Sequence, residues 1–123
     1  MTLKVDRIEK VDGLSGIDTD YVIGGAARFW VRAFHVGIDE SLNCSSIVDN
    51  GTGDYTFNFT NAFTTVNHST VGMADFNSTG SYNRLLQGVG ATTTSERFYT
   101  ITAGNGGRYD SGRLCIHIQG DLA

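Results

Sequence analysis

Three histidines, His35, His68 and His117, and two cysteines, Cys44 and Cys115, are the side chains of this sequence best able to hold a metal ion. A closed structural zinc site takes four nitrogen or sulfur ligands. No two histidines form a His-x-His or His-x-x-x-His pair, and the cysteines lie far apart, so one chain offers no ready site. His117 has one further option: three chains around an axis would present it three times, on the strand face it shares with Cys115. An ordinary hydrogen-bonded strand histidine is the simpler reading, and no metal or other cofactor is expected. The cysteines could pair by count, but the opening Met1-Thr2-Leu3-Lys4-Val5-Asp6 lacks the apolar run of an export signal. Thiols stay free in a reducing cytosol.

Paired carboxylates would serve glycoside hydrolysis, which needs two of them facing each other across a cleft. Glu40 and Glu96 can be nominated, yet nothing in their spacing pairs them. Asp49 and Asp54 flank Asn50-Gly51-Thr52-Gly53, and Asp18 and Asp20 form an Asp-x-Asp. Neither has the order of a calcium loop, and turn capping by Asp and Asn explains the first. Gly-x-Ser-x-Gly is absent, and Gly104-Asn105-Gly106-Gly107-Arg108 lacks the Lys-Ser/Thr of a phosphate loop. The chain is therefore read as not an enzyme. Asn-x-Ser/Thr triplets begin at Asn43, Asn50, Asn58, Asn67 and Asn77. The abundance of these residues in strands and turns explains them without glycosylation.

These side chains must be positioned by one domain, since the chain has 123 residues. A net charge of −4 with nine scattered cations excludes a basic nucleic-acid face. No apolar stretch approaches a membrane helix, so no membrane insertion is expected. Charged residues are 18% and hydrophobic ones 40%, which argues against disorder; 16 Gly without Pro or a period of three is not collagen.

Residues 1–27 mix charges with the apolar points Leu3, Val5 and Ile8 and end in Gly24-Gly25-Ala26-Ala27; they read as a docking arm. Residues 28–123 read as strands. Arg28–Ile38 is rich in aromatic and β-branched residues and is taken as one strand. A short run at Ser45–Val48 meets the Asn50-Gly51 turn, and Asp54–Thr60 then alternates, with Tyr55, Phe57 and Phe59 on one face. Ser69–Ala74, Asn83–Val89, Arg97–Thr102 and Arg113–Gln119 are further strands; in the last, Leu114, Ile116 and Ile118 share a face. Short strands separated by turn clusters predict an all-β, antiparallel β-sandwich or jelly-roll-like domain with a short N-terminal arm. Phe76, Asn77, Tyr82, Asn105, Arg108, Tyr109 and Asp110 lie in loops 76–82 and 103–112. Aromatic rings among Asn, Asp and Arg suit a sugar or protein surface, and they equally suit packing beneath their own loops.

The run Ala27-Arg28-Phe29-Trp30-Val31 and the stretch Ser41–Thr60 (SLNCSSIVDNGTGDYTFNFT) resemble a module of bacteriophage virion appendages. These are short tail-fibre, tail-tip or head-surface β-domain proteins. The opening Leu3-Lys4-Val5-Asp6-Arg7-Ile8 resembles the start of short phage fibre proteins. The chain departs from that pattern at Arg28, where Lys is usual, and at Arg32, where a small or polar residue is. The resemblance implies a homotrimeric structural protein of the virion, made in the host cytoplasm, that takes part in host-surface attachment. Its partners would be sister subunits, other virion proteins reached through residues 1–27, and a host surface glycan or protein. A capsid decoration protein stabilising the head is one alternative; a free-standing carbohydrate-binding module is another.

Overall fold

The computed structural model describes residues 2–11, 13, 16–19, 22, 25–74 and 84–123. Among them ten strands follow in order: β1 (Arg7–Glu9), β2 (Gly16–Asp18), β3 (Phe29–Phe34), β4 (Gly37–Leu42), β5 (Cys44–Gly51), β6 (Asp54–Phe59), β7 (Ser69–Ala74), β8 (Arg84–Ala91), β9 (Ser95–Thr102) and β10 (Leu114–Gln119). β1 and β2 pair as a separate hairpin. The rest form two four-stranded antiparallel sheets, ordered β4-β3-β10-β7 and β5-β6-β9-β8. The chain is nearly all-β, as expected. No helix among the described residues is long and apolar enough to cross a membrane.

Period-two alternation decides which side chains enter the space between the sheets. From one sheet come Phe29, Val31 and Ala33 of β3 and Leu114, Ile116 and Ile118 of β10. From the other come Tyr55, Phe57 and Phe59 of β6 and Phe98 of β9. Phe29 and Phe59 meet edge to face across the gap, centroids 5.1 Å apart, and Phe63 sits 5.1 Å beyond Phe59. All belong to one core. Each such aliphatic or aromatic side chain, fully buried, is worth about 1.5–3 kcal/mol relative to leaving it in water.

The segment Arg28–Ile38 is not one strand. It turns at His35-Val36, and His35 takes a left-handed φ of 52°. Gly37 then starts β4, an edge strand exposed along most of its length. Asn43, at φ 64°, makes the corner by which the chain leaves one sheet for the other. Its side chain accepts from Asn61 N at 2.6 Å and donates to Asn61 O at 3.0 Å. The β5–β6 hairpin forms, but β5 runs on through Asn50 and Gly51, and the ladder closes with Gly51 opposite Asp54, so the two turn residues are Thr52 and Gly53 and not Asn50-Gly51. β7 has the expected bounds.

The described part of residues 1–27 forms a hairpin. β1 and β2 pair with Arg7 opposite Asp18 and Ile8 opposite Ile17, and Arg7 Nη1 meets Asp18 Oδ1 at 2.9 Å. The segment before β3 is bonded to β10: Arg28 N donates to Ile118 O at 2.9 Å, and Gln119 Nε2 donates to Gly25 O at 2.8 Å.

Candidate functional site

The outward face of the β5-β6-β9-β8 sheet carries the densest polar arrangement. Strand register sets Thr56 opposite Arg97 and Asp54 opposite Tyr99, which brings Arg97 diagonally over Asp54. The Arg97 guanidinium grips the nearly buried carboxylate with both arms: Nε to Oδ1 at 2.8 Å and Nη2 to Oδ2 at 2.6 Å. Two parallel charge-assisted bonds of this kind are strong and directional. Asn50 Nδ2 donates to Asp54 Oδ1 at 3.2 Å and to Thr56 Oγ1 at 2.8 Å, and Arg108 Nη1 approaches Oδ2 at 3.5 Å. The Arg97 bonds hold the Asp54 carboxyl below the ordinary carboxylate range, overcoming the opposing effect of burial. The same bonds push Arg97 upward. Beside them Arg108 stacks 4.1 Å from the Tyr99 ring centre, with Arg97 at 5.5 Å. The result is a ring with two guanidinium groups, each about half exposed (45% for Arg97 and 48% for Arg108), anchored from below by one carboxylate.

Of the loop residues singled out from sequence, Arg108 joins this face. Tyr109 lies half-buried with the Arg84 guanidinium 3.6 Å over its ring, and its backbone N donates to Thr100 O at 3.1 Å. Asp110 pins the β5–β6 turn, accepting from Gly53 N at 2.9 Å and from Tyr55 Oη at 3.3 Å. Asn105 caps its own loop through Gly107 N at 2.9 Å. Phe76, Asn77 and Tyr82 lie outside the described residues. Leu3, Val5 and Ile8 are all exposed.

Tyr55 gives a pH test of the turn. Its hydroxyl is pushed up to about 12, first by burial and then by Asp110. A folded value above the unfolded one, about 10, means this stabilisation is complete below pH 10 and is lost as pH rises towards 12. Stability should therefore fall between those limits, with tyrosinate absorbance appearing together with unfolding. Tyr55→Phe should remove this contribution to the alkaline loss.

The other nominated groups are not brought together. Glu96 enters the protein interior, where its Oε2 meets His68 Nε2 at 3.0 Å and accepts from Thr70 Oγ1 at 2.8 Å. The His68 ring packs on Phe63 with centroids 4.8 Å apart. Glu40 is exposed on β4 of the opposite sheet, so the two carboxylates share no cleft. Asp49 caps Gly51 N at 2.9 Å, and Asp18 pairs with Arg7; Asp20 is not among the described residues. Cys44 and Cys115 are free, and burial pushes the Cys44 thiol up. No three His, Cys, Asp or Glu side chains among the described residues form a metal-holding group.

Asp54, Arg97 and Tyr99 were not selected as site residues by sequence reading. The available signal was their placement: alternation that sends Phe57 and Phe98 inward sends their neighbours Thr56, Arg97 and Tyr99 outward. No family model, curated protein or solved structure matches this chain.

Proposed function

We propose that this chain is a non-catalytic, self-associating β-domain of a bacteriophage virion appendage. In this reading the Asp54–Arg97–Tyr99–Arg108 face is presented to the host surface. The observation that carries it is a coincidence of place. The stretch that resembles virion appendages, Ser41–Thr60, forms the end of β4 and the β5–β6 hairpin and supplies Asn50, Asp54 and Thr56 to that face. Half-exposed guanidinium groups beside a tyrosine ring suit a polar, acid-bearing surface glycan or an acidic protein patch, because each N–H edge not used by Asp54 can donate outward. The opposite sheet turns an apolar outer face to solvent, as a subunit that associates with copies of itself would.

The experiment uses purified full chain, fluorescently labelled, on host cells. Tyr99→Ala with Arg108→Ala should lower cell-surface binding at least tenfold while the far-UV spectrum stays that of the parent. Unchanged binding by the variant, or no binding by the parent, would overturn the host-facing assignment. A head location for antibody label in electron micrographs, with adsorption intact and capsid heat resistance lowered when the protein is removed, would support the decoration alternative instead.

A further inference from the structure

The outward side chains of the β4-β3-β10-β7 sheet form rows set by register. One row runs Val71, His117, Trp30, Leu42 across all four strands; the next holds Met73 and Cys115 before it reaches the charged pair Arg32 and Glu40. Val71 and Met73 are 68% and 62% exposed. Apart from the His117 imidazole, these side chains make an apolar band on an outer sheet face.

The same chain carries a second unsatisfied apolar surface. Ile8 and Ile17 face each other across the β1–β2 hairpin and are 52% and 46% exposed. Because successive strand residues point to opposite sides, Arg7, Glu9 and Asp18 occupy the hairpin's other side, where Arg7 bridges both carboxylates at 3.4 and 2.9 Å. The hairpin is therefore amphipathic. A two-stranded hairpin is marginal alone in water and needs an apolar surface to lie on. Among the described residues it does not lie on this sheet face of its own chain, since its isoleucines and the sheet's Val71 and Met73 are exposed together.

Arm and band are joined at one place. Gly25 and Arg28 are bonded to Gln119 and Ile118, and Ala27, Ser69, Val71, His117 and Gln119 line a shallow hollow where the arm leaves the band's rim. We infer that the β1–β2 hairpin of one copy lies, isoleucines down, on the outer face of the β4-β3-β10-β7 sheet of a second copy. Each copy then brings one donor and one acceptor in equal number. That is a heterologous, head-to-tail contact, which three copies can close into a ring. The charged side of the hairpin, with Arg7, Glu9 and Asp18, stays in water, and Glu40 at the band's end offers its carboxylate to Lys10. The inference rests on the self-association proposed above and not on the virion setting.

Complementation between full-length variants tests it. Ile8→Asp with Ile17→Asp destroys the donor; Val71→Asp with Met73→Asp destroys the acceptor. All four positions are exposed, so each variant should keep the parent's far-UV spectrum and cooperative melting. Should the acceptor variant fail to fold, Leu42→Asp replaces it. By light scattering the parent should be a closed oligomer, and each variant alone should have the mass of one 13.3 kDa chain. An equimolar mixture of the two should give a species of twice that mass, because one intact donor still meets one intact acceptor. In Ile17→Cys, a short bismaleimide should link that residue to Cys115 between isotopically distinct chains. A parent oligomer that persists in the donor variant would overturn the arm exchange and leave self-association standing. A monomeric parent would overturn both. A mixture that stays monomeric, or links confined within single chains, would also overturn the exchange, the latter pointing to an N-terminal hairpin that folds onto its own body.

Discussion

Replacing Phe57 by alanine is expected to cost about 3–5 kcal/mol, the range for removing a fully buried aromatic side chain. Phe57 has no exposed surface, meets Phe98 edge to face at 5.7 Å, and stands opposite Ile47 on β5. It sits on a central strand, with both neighbouring strands already committed to β5 and β9, so the surroundings have little freedom to collapse into the space. Against a total stability of about 5–15 kcal/mol this is a large fraction. The thermal midpoint should fall by roughly 10–20 °C. Val48→Ala, on the outward side of β5 and well exposed, should change stability by no more than about 0.5 kcal/mol. Urea unfolding of both variants, followed by circular dichroism, makes the comparison. Equal midpoints would show that the alternation of β6 does not decide what is buried.

Gly53→Ala should be comparably severe for a different reason. Gly53 has a φ of +61°, and a β-carbon there would stand 2.6 Å from Tyr109 O, 2.7 Å from Tyr109 N and 2.8 Å from Thr100 O. Every one of those atoms is backbone, so no side chain can swing aside. Left-handed backbone costs an L-residue about 1–2 kcal/mol and overpacking about 1–3 more. A loss of about 2–5 kcal/mol is expected, with weakening of the Asp110 clasp on Gly53 N. Gly90→Ala is the control: a β-carbon there meets nothing within 4 Å, and its change should be small. If the two substitutions behave alike, the loop after β9 does not press on the β5–β6 turn.

The elements legible in sequence were those whose faces differ. β6 and β10 alternate cleanly because one side of each is core, and the Gly- and Asn-rich run Asp49–Gly53 marks the hairpin, though the chain reverses at Thr52-Gly53 rather than at Asn50-Gly51. β4 was missed because an edge strand with both sides wet has no alternation to show. The turn before it was hidden because positive φ fell on His35, a residue that seldom advertises one. The site was less legible than the fold. Asp54 looked like a turn residue, since its bond to Arg97 exists only through the β6–β9 register, which joins residues 43 positions apart. Arg108 could be picked out as a loop cation beside an aromatic, but its ring is Tyr99 and not the adjacent Tyr109. Glu96 can be nominated with Glu40 from sequence, but its place is decided by His68 and Thr70, which arrive from a loop and another strand to receive it inside the protein.

The pairing of β3 with β10 has a consequence for how the chain comes to be folded. β10 lies between β3 and β7, so until residues 114–119 are synthesised neither of those strands has its inner neighbour. The β5-β6-β9-β8 sheet draws on residues 44–102 alone and can assemble first. During that interval the apolar sides of β3 and β7 stand open with unpaired edges, the condition in which strands join the wrong partner. Closing the first body strand onto the last also requires loop closure across nearly the whole domain, which places this protein among slow folders. Chains released before Leu114 would keep those edges and expose them to one another.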